Sequence, residues 1–94
     1  MTILQIEHKV PNYDGWKRAF DSDPIHRQKS GTRSYRIYRP ADDLNYVIID
    51  LEFDNVAAAE SSLEALRNLW KDVEGKVMLN PKTRIMDMVE RKEY

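Results

Sequence analysis

The sequence contains no cysteine. Disulfide bonds, thiolate metal centres and cysteine nucleophiles are therefore excluded. Long apolar runs are also missing, because stretches such as Tyr46 to Ile49 fall far short of a membrane span. The first ten residues show neither the basic start nor the apolar centre of a signal peptide, so we expect a cytoplasmic protein.

Neither sign of charge is in marked excess. Fifteen Lys and Arg residues stand against 16 Asp and Glu residues, which gives a net charge of −1. Nucleic-acid binders usually carry a basic excess, and binding to a membrane surface usually needs a polybasic patch. We therefore expect neither as a partner. The two histidines make no zinc motif and no phosphate-binding glycine loop is present, so we expect no metal and no cofactor.

The length of 94 residues is enough for one domain, spanning 1–94. Alternation of apolar and polar residues predicts four strands, near 3–10, 33–39, 46–53 and 83–90. Residues 76–80 are predicted to form a loop with a short extended piece.

Two helices are predicted between the strands. Asn12 is a suitable cap for a helix that starts at Tyr13, and Asp54 for one over 55–73. A further short helix is predicted from Pro24, ending at Gly31. The main elements follow the order β-α-β-β-α-β, which is typical of the ferredoxin-like fold, an α+β fold with both helices on one face of an antiparallel sheet.

The predicted strands have one strongly apolar face, which we expect beneath the helices. It carries Leu4, Ile6, Val10, Val47, Ile49, Leu51 and Phe53. The opposite face mixes Ile3 and Ile48 with charged residues, and the last strand is apolar on both sides, with Ile85 and Val89 opposed to Met86 and Met88. One layer of helices cannot cover both faces, so we expect a second copy of the chain to cover the other, in a homodimer.

Three stretches of the sequence carry a family resemblance. They are residues 10–17 (VPNYDGWK) with Phe20 and Asp21, residues 39–47 (RPADDLNYV), and residues 50–54 (DLEFD). Together they resemble small bacterial proteins of the dimeric α+β barrel superfamily, which includes antibiotic-biosynthesis monooxygenases and haem-degrading relatives. The resemblance implies a homodimer whose two sheets face each other as a barrel, with a pocket in each subunit between sheet and helices.

The catalytic residues of that superfamily match this sequence poorly. Its cofactor-free monooxygenases use an Asn and a Trp in the pocket, and its haem degraders add a His. The corresponding first-strand position here is apolar, near Ile6, and His8 lies on a strand instead of a helix. Trp70, on the second helix, is not tied by any motif to the family tryptophan.

His8 is the candidate for catalysis. It shares the apolar strand face with Leu4 and Ile6, and a partly buried imidazole that titrates near neutral pH can serve as a general base. The alternative is a histidine whose hydrogen bonds are satisfied at a strand end.

A ligand pocket is predicted beside His8. Three large aromatic residues at helical positions, Trp16, Phe20 and Trp70, are suited to line it, and Tyr35 has a hydroxyl that could orient a ligand. Such residues also simply fill cores, which is the alternative interpretation.

Two functional hypotheses follow. The first is a small dimeric protein that binds an apolar or aromatic ligand between sheet and helices. The second is a cofactor-independent monooxygenase or cyclase acting on an aromatic or polyketide-like substrate. A catalyst requires a closed pocket on which polar groups converge, whereas a structural dimer requires a filled core around Trp16 and Trp70.

Overall fold

The computed structural model describes residues 1–73, 75–76 and 78–94. Its elements, in chain order, are β1 (Thr2–Lys9), α1 (Tyr13–Asp21), β2 (Ser34–Tyr38), β3 (Tyr46–Phe53), α2 (Val56–Val73) and β4 (Leu79–Asp87). The sheet has the strand order β2-β3-β1-β4, and its neighbouring strands pair antiparallel. The predicted ferredoxin-like fold is confirmed.

Asparagine side chains cap both helices. The Oδ1 atom of Asn12 accepts a hydrogen bond of 2.8 Å from the backbone N–H of Gly15, as the sequence predicted for α1. At α2 the prediction was one residue off, because Asn55 Oδ1 accepts from the N–H of Ala58 at 2.9 Å. Asp54 instead accepts from the guanidinium of Arg33 at 2.6 Å, which withdraws its carboxylate from capping.

The short helix predicted from Pro24 is wrong, since residues 24–31 form successive turns. Asp23 and His26 both have φ of 52°, and a left-handed residue cannot continue a right-handed helix. Asp23 Oδ1 accepts from the N–H of Arg27 at 2.9 Å and so closes a turn instead. Gly31 has φ of 100°, so its predicted left-handed conformation is confirmed although it ends no helix.

The last strand begins earlier and ends earlier than predicted. It starts at Leu79 and stops at Asp87, which leaves Val89 outside the sheet and 94% exposed. The pairing of β1 with β4 shifts register between Glu7 and Lys9, beside Asn80, whose φ is 52°. This irregularity is a β-bulge that sequence alternation does not reveal. The loop predicted over 76–80 includes Val77, which lies outside the described residues, and Asn80 belongs to β4.

Pro81 lies within β4, and among the described residues no further strand pairs with the outer side of β4. Because β4 is an edge strand of the sheet, a residue without an N–H is tolerated there.

The core lies between one sheet face and the two helices, as predicted. Its buried members are Leu4, Ile6, Val10, Trp16, Val47, Ile49, Leu51, Phe53, Ala59 and Leu63. Helix α2 contributes to this core unevenly: Ala59, Ser62 and Leu63 in its first half are buried, whereas Leu66 and Trp70 in its second half are only partly covered. The second half of α2 therefore leaves space between itself and the sheet.

Within the described residues, no helix has the length and apolar character needed to cross a membrane.

Candidate functional site

A cavity of about 260 Å³ lies between the sheet and the second half of α2. Its walls are largely apolar and come from both helices, the sheet and the turns after α1. They are formed by Ile6, His8, Ala19, Phe20, Ser22, Pro24, Ile25, Arg27, Ile49, Leu51, Leu66, Leu69, Trp70, Val73 and Met78. Pockets for small molecules typically measure ~300–1,000 Å³, so this volume suits a small ligand.

His8 supplies a buried imidazole to the cavity wall. The residue is 2% exposed, and its Nδ1 atom lies 2.9 Å from the carbonyl oxygen of Lys9. Because a carbonyl oxygen only accepts, this contact places the hydrogen on Nδ1 and leaves a lone pair on Nε2 of the neutral ring. Burial lowers the pKa of His8 below its ordinary value, against the opposing effect of the hydrogen bond to Lys9. His8 is therefore neutral at pH 7.

The position of His8 follows from strand alternation and from the bulge. It faces the helices together with Leu4 and Ile6, opposite Val47 of β3. In β4 the register shift leaves His8 without an aligned partner. On the helix side its ring and the Trp16 ring make an edge-to-face contact, with 5.8 Å between ring centroids.

Aromatic rings continue from His8 along α1. The Trp16 and Phe20 centroids are 5.2 Å apart, and those of Phe20 and Tyr35 are 5.0 Å apart in an edge-to-face arrangement. Of the predicted pocket residues, His8, Phe20 and Trp70 line the cavity. Trp16, 5% exposed, packs behind His8 and Phe20, and Tyr35, 45% exposed, packs against Phe20 and lines an outer groove.

Arg27 is a cavity residue that sequence reasoning missed. Its side chain is only 14% exposed, and its Cζ atom lies 3.8 Å from the centroid of the Phe20 ring, close enough for a cation–π interaction. Its Nη1 atom donates to the backbone carbonyl of Phe20 at 3.0 Å and lies 3.4 Å from Asp23 Oδ1. No periodic pattern marks Arg27, because it stands in the turns where a polar helix was predicted.

A polar groove adjoins the cavity on the outside. It is formed by Asp23, Arg27, Gln28, Thr32, Arg33, Ser34 and Tyr35. Arg27 belongs to both sets of walls, so its guanidinium stands at the boundary between the apolar cavity and this groove. The arrangement offers a ligand a neutral imidazole and a cation in largely apolar surroundings, and the third polar side chain of the wall, Ser22, donates its hydroxyl to the Ala19 carbonyl at 2.6 Å.

No protein-family model matches this chain, and no curated protein matches it at a significant level. Solved structures do match along nearly its whole length. SnoaB, a cofactor-independent oxygenase from Streptomyces nogalater, is 8% identical with a TM-score of 0.75, over 96% of this chain and 94% of that one. An antibiotic biosynthesis monooxygenase is 14% identical with a TM-score of 0.66, over 96% of this chain and 100% of the other.

A dimeric ferredoxin-like protein from an uncultured marine organism also matches. It is 8% identical with a TM-score of 0.67, and the match covers 100% of both chains. At such low identities the likeness is one of fold. The chain thus has the fold of the antibiotic-biosynthesis-monooxygenase-like proteins, as its sequence resemblance predicted.

Proposed function

We propose that this protein binds a small, flat, largely apolar ligand in the cavity between sheet and helices. The observation that carries the proposal is the cavity itself, because a chain selected only for stability would close it. Side chains large enough to do so, Leu66 and Trp70, stand at its wall and remain partly uncovered. Unfilled apolar volume costs stability, about 24 cal/mol per Å³ in engineered cavities of another protein, so retaining it points to a use.

Ligand binding can be tested by filling the cavity. Ala19 lines it on α1, and an Ala19→Leu substitution adds three carbons at that wall. We expect 2-naphthamide, a flat neutral probe, to bind the unaltered protein saturably in calorimetry, and binding to weaken at least tenfold in Ala19→Leu. Ala57→Leu, on an exposed position of α2, is the matched control and should bind normally. Absence of saturable binding to the unaltered protein, both of 2-naphthamide and of its charged isostere 2-naphthoate, would overturn the proposal.

The second proposal is that the protein is a homodimer whose open sheet faces meet. Ile48 and Met86 are half-buried on that face, and Tyr38, aligned with Ile48, is 46% exposed. Polar side chains on the same face already hydrogen-bond to each other, as where Gln5 Nε2 donates to Asp50 Oδ1 at 3.1 Å. A matching structure of the same fold is described as dimeric, which supports the proposal.

A second candidate activity is cofactor-independent oxygenation, favoured by the neutral, buried His8. Its Nε2 lone pair can take a proton from a CH₂ group of a substrate whose carbanion is stabilised by an aromatic ketone. The carbanion gives one electron to O₂, and the resulting radicals combine to a peroxide. Loss of water then leaves a carbonyl, so that one oxygen atom enters the product and the other leaves in water. SnoaB, which shares the fold, is described as a cofactor-independent oxygenase.

Oxygen uptake distinguishes this activity from simple binding. Anthrone, which carries such a CH₂ group, should consume one O₂ per anthraquinone formed, and His8→Ala should lower the rate by roughly 10²-fold or more if the imidazole is the general base. His26→Ala, at the other and exposed histidine, is the control. Uptake equal to that of buffer would reject the oxygenase while leaving the binding proposal standing.

A further inference from the structure

Charge at the cavity wall has a single sign. Among the described residues that line it, the ionisable side chains are His8 and Arg27, and none is acidic. Burial keeps His8 neutral at pH 7, so the one charged side chain that lines the cavity is the Arg27 guanidinium, whose Nη1 lies 3.4 Å from Asp23 Oδ1 in the adjoining groove. A cation at low exposure attracts an anionic group strongly, because little water screens it.

The guanidinium of Arg27 also has N–H donors without a hydrogen-bond partner among the described residues. Nη1 donates to the Phe20 carbonyl, but Nε and Nη2 have no partner among residues 1–73, 75–76 and 78–94. Asp23 does not use them, because its Oδ1 accepts from the Arg27 backbone N–H at 2.9 Å and lies 3.4 Å from Nη1. The Cζ atom lies 3.8 Å from the Phe20 ring centroid, a contact with the ring that uses none of the guanidinium N–H donors in a described hydrogen bond.

Two other cations nearby hold closer ion pairs than the 3.4 Å contact between Arg27 and Asp23. Arg33, in the outer groove, binds Asp54 at 2.6 Å, and Lys17 on α1 binds Asp21 at 2.6 Å. Arg27 is therefore the cation placed to receive a ligand, and a planar carboxylate matches its edge donors.

We infer that the ligand is a small aromatic carboxylate whose carboxylate group pairs with Arg27 while its ring contacts Phe20 and Trp70. This inference rests on the proposed ligand-binding function and specifies the ligand class. The volume of about 260 Å³ suits a compact fused-ring system, and the apolar lining disfavours sugars and phosphates. Arg27 acts in this arrangement as a specificity-determining residue.

The experiment compares two probes of the same shape, 2-naphthoate and its neutral isostere 2-naphthamide, by calorimetry at pH 7.5. A charge-assisted hydrogen-bonded pair should make naphthoate bind roughly tenfold more tightly or better. This ratio is measured on the unaltered protein and needs no variant. Equal Kd values would overturn the inference and leave the binding proposal intact, whereas failure of both probes to bind would overturn the proposed function itself.

Variants then assign the preference to Arg27. Arg27→Met keeps the apolar stem and removes the charge, so naphthoate should weaken to the level of naphthamide while naphthamide itself binds as before. Lys29→Met, an exposed cation in the same series of turns, should keep the full preference. A preference that survives in Arg27→Met contradicts the role of this residue. If Arg27→Met does not fold, Arg27→Gln gives the same comparison with part of its hydrogen bonding to Phe20 retained.

Discussion

His8 couples its charge state to folding. Burial lowers its pKa in the folded protein below the unfolded value of 6.5, so the unfolded chain takes up a proton first on acidification. The resulting stability is fully present above about pH 6.5 and is lost as the pH falls through the folded-state pKa.

This linkage predicts a lower melting temperature at pH 5 than at pH 7.5. His8→Gln removes the titrating group, so it should flatten the pH dependence even if it lowers stability at every pH. His26→Gln, at an exposed position, should leave the slope unchanged. A slope that is the same in His8→Gln and the unaltered protein would show that other groups cause it.

Gly31 and Gly15 are expected to respond in opposite directions to alanine. Gly31 has φ of 100°, where an L-residue costs roughly 1–2 kcal/mol, so Gly31→Ala should destabilise the protein by about that amount. Gly15 lies within α1, and an added Cβ would meet Asn12 Oδ1 at an ordinary 3.6 Å. Gly15→Ala should therefore stabilise by ~0.5–1 kcal/mol. Urea denaturation measures both, and equal signs would contradict the backbone argument.

Helix α1 depends on its asparagine cap. Asn12→Ala removes the acceptor for the Gly15 N–H and should cost ~1 kcal/mol of unfolding free energy. Asn12→Asp keeps an acceptor oxygen and should retain most of that stability. Because α1 also carries Phe20 and Ala19 to the cavity wall, ligand binding should weaken in parallel. Unchanged denaturation curves for Asn12→Ala would mean that the cap contributes little.

Strands in which apolar and polar residues alternate along the whole length could be predicted from the sequence, whereas the turns could not. Both ends of β3, at 46 and 53, were predicted correctly. Every second residue from Val47 to Phe53 is apolar, and these residues are the buried ones. The sequence predicts a helix instead of the turns after Asp23, because the left-handed residues of these turns, Asp23 and His26, are not glycines. The bulge at Asn80 was missed for the same reason.

The candidate site also has a part that the sequence predicts and a part that it does not. Strand parity placed His8 on the helix side, and helical spacing brought Phe20 and Trp70 there. The cavity depends on how far the second half of α2 stands from the sheet, which no local pattern encodes. The position of the Arg27 side chain depends on the turns after Asp23, so it could not be predicted from the sequence.

At the scale of the whole molecule, the open sheet face is expected to hold two subunits together. Light scattering should give twice the chain mass of 11.1 kDa. Ile48→Lys places a charge on that face and should yield the single-chain mass, whereas Ala57→Lys on exposed α2 should not. A single-chain mass for the unaltered protein at tens of micromolar would refute the dimer.

Pro81 helps to protect the edge of the sheet from aggregation by strand addition. An outer strand with a continuous row of unpaired N–H and C=O groups is a template on which further chains can add as in amyloid. In β4 that row is interrupted by a residue with no N–H, next to a bulge that twists the strand away from flatness. The opposite border, β2, is only five residues long and carries Arg36. With both borders of the sheet poorly suited to strand addition, fibre formation is disfavoured even at high protein concentration.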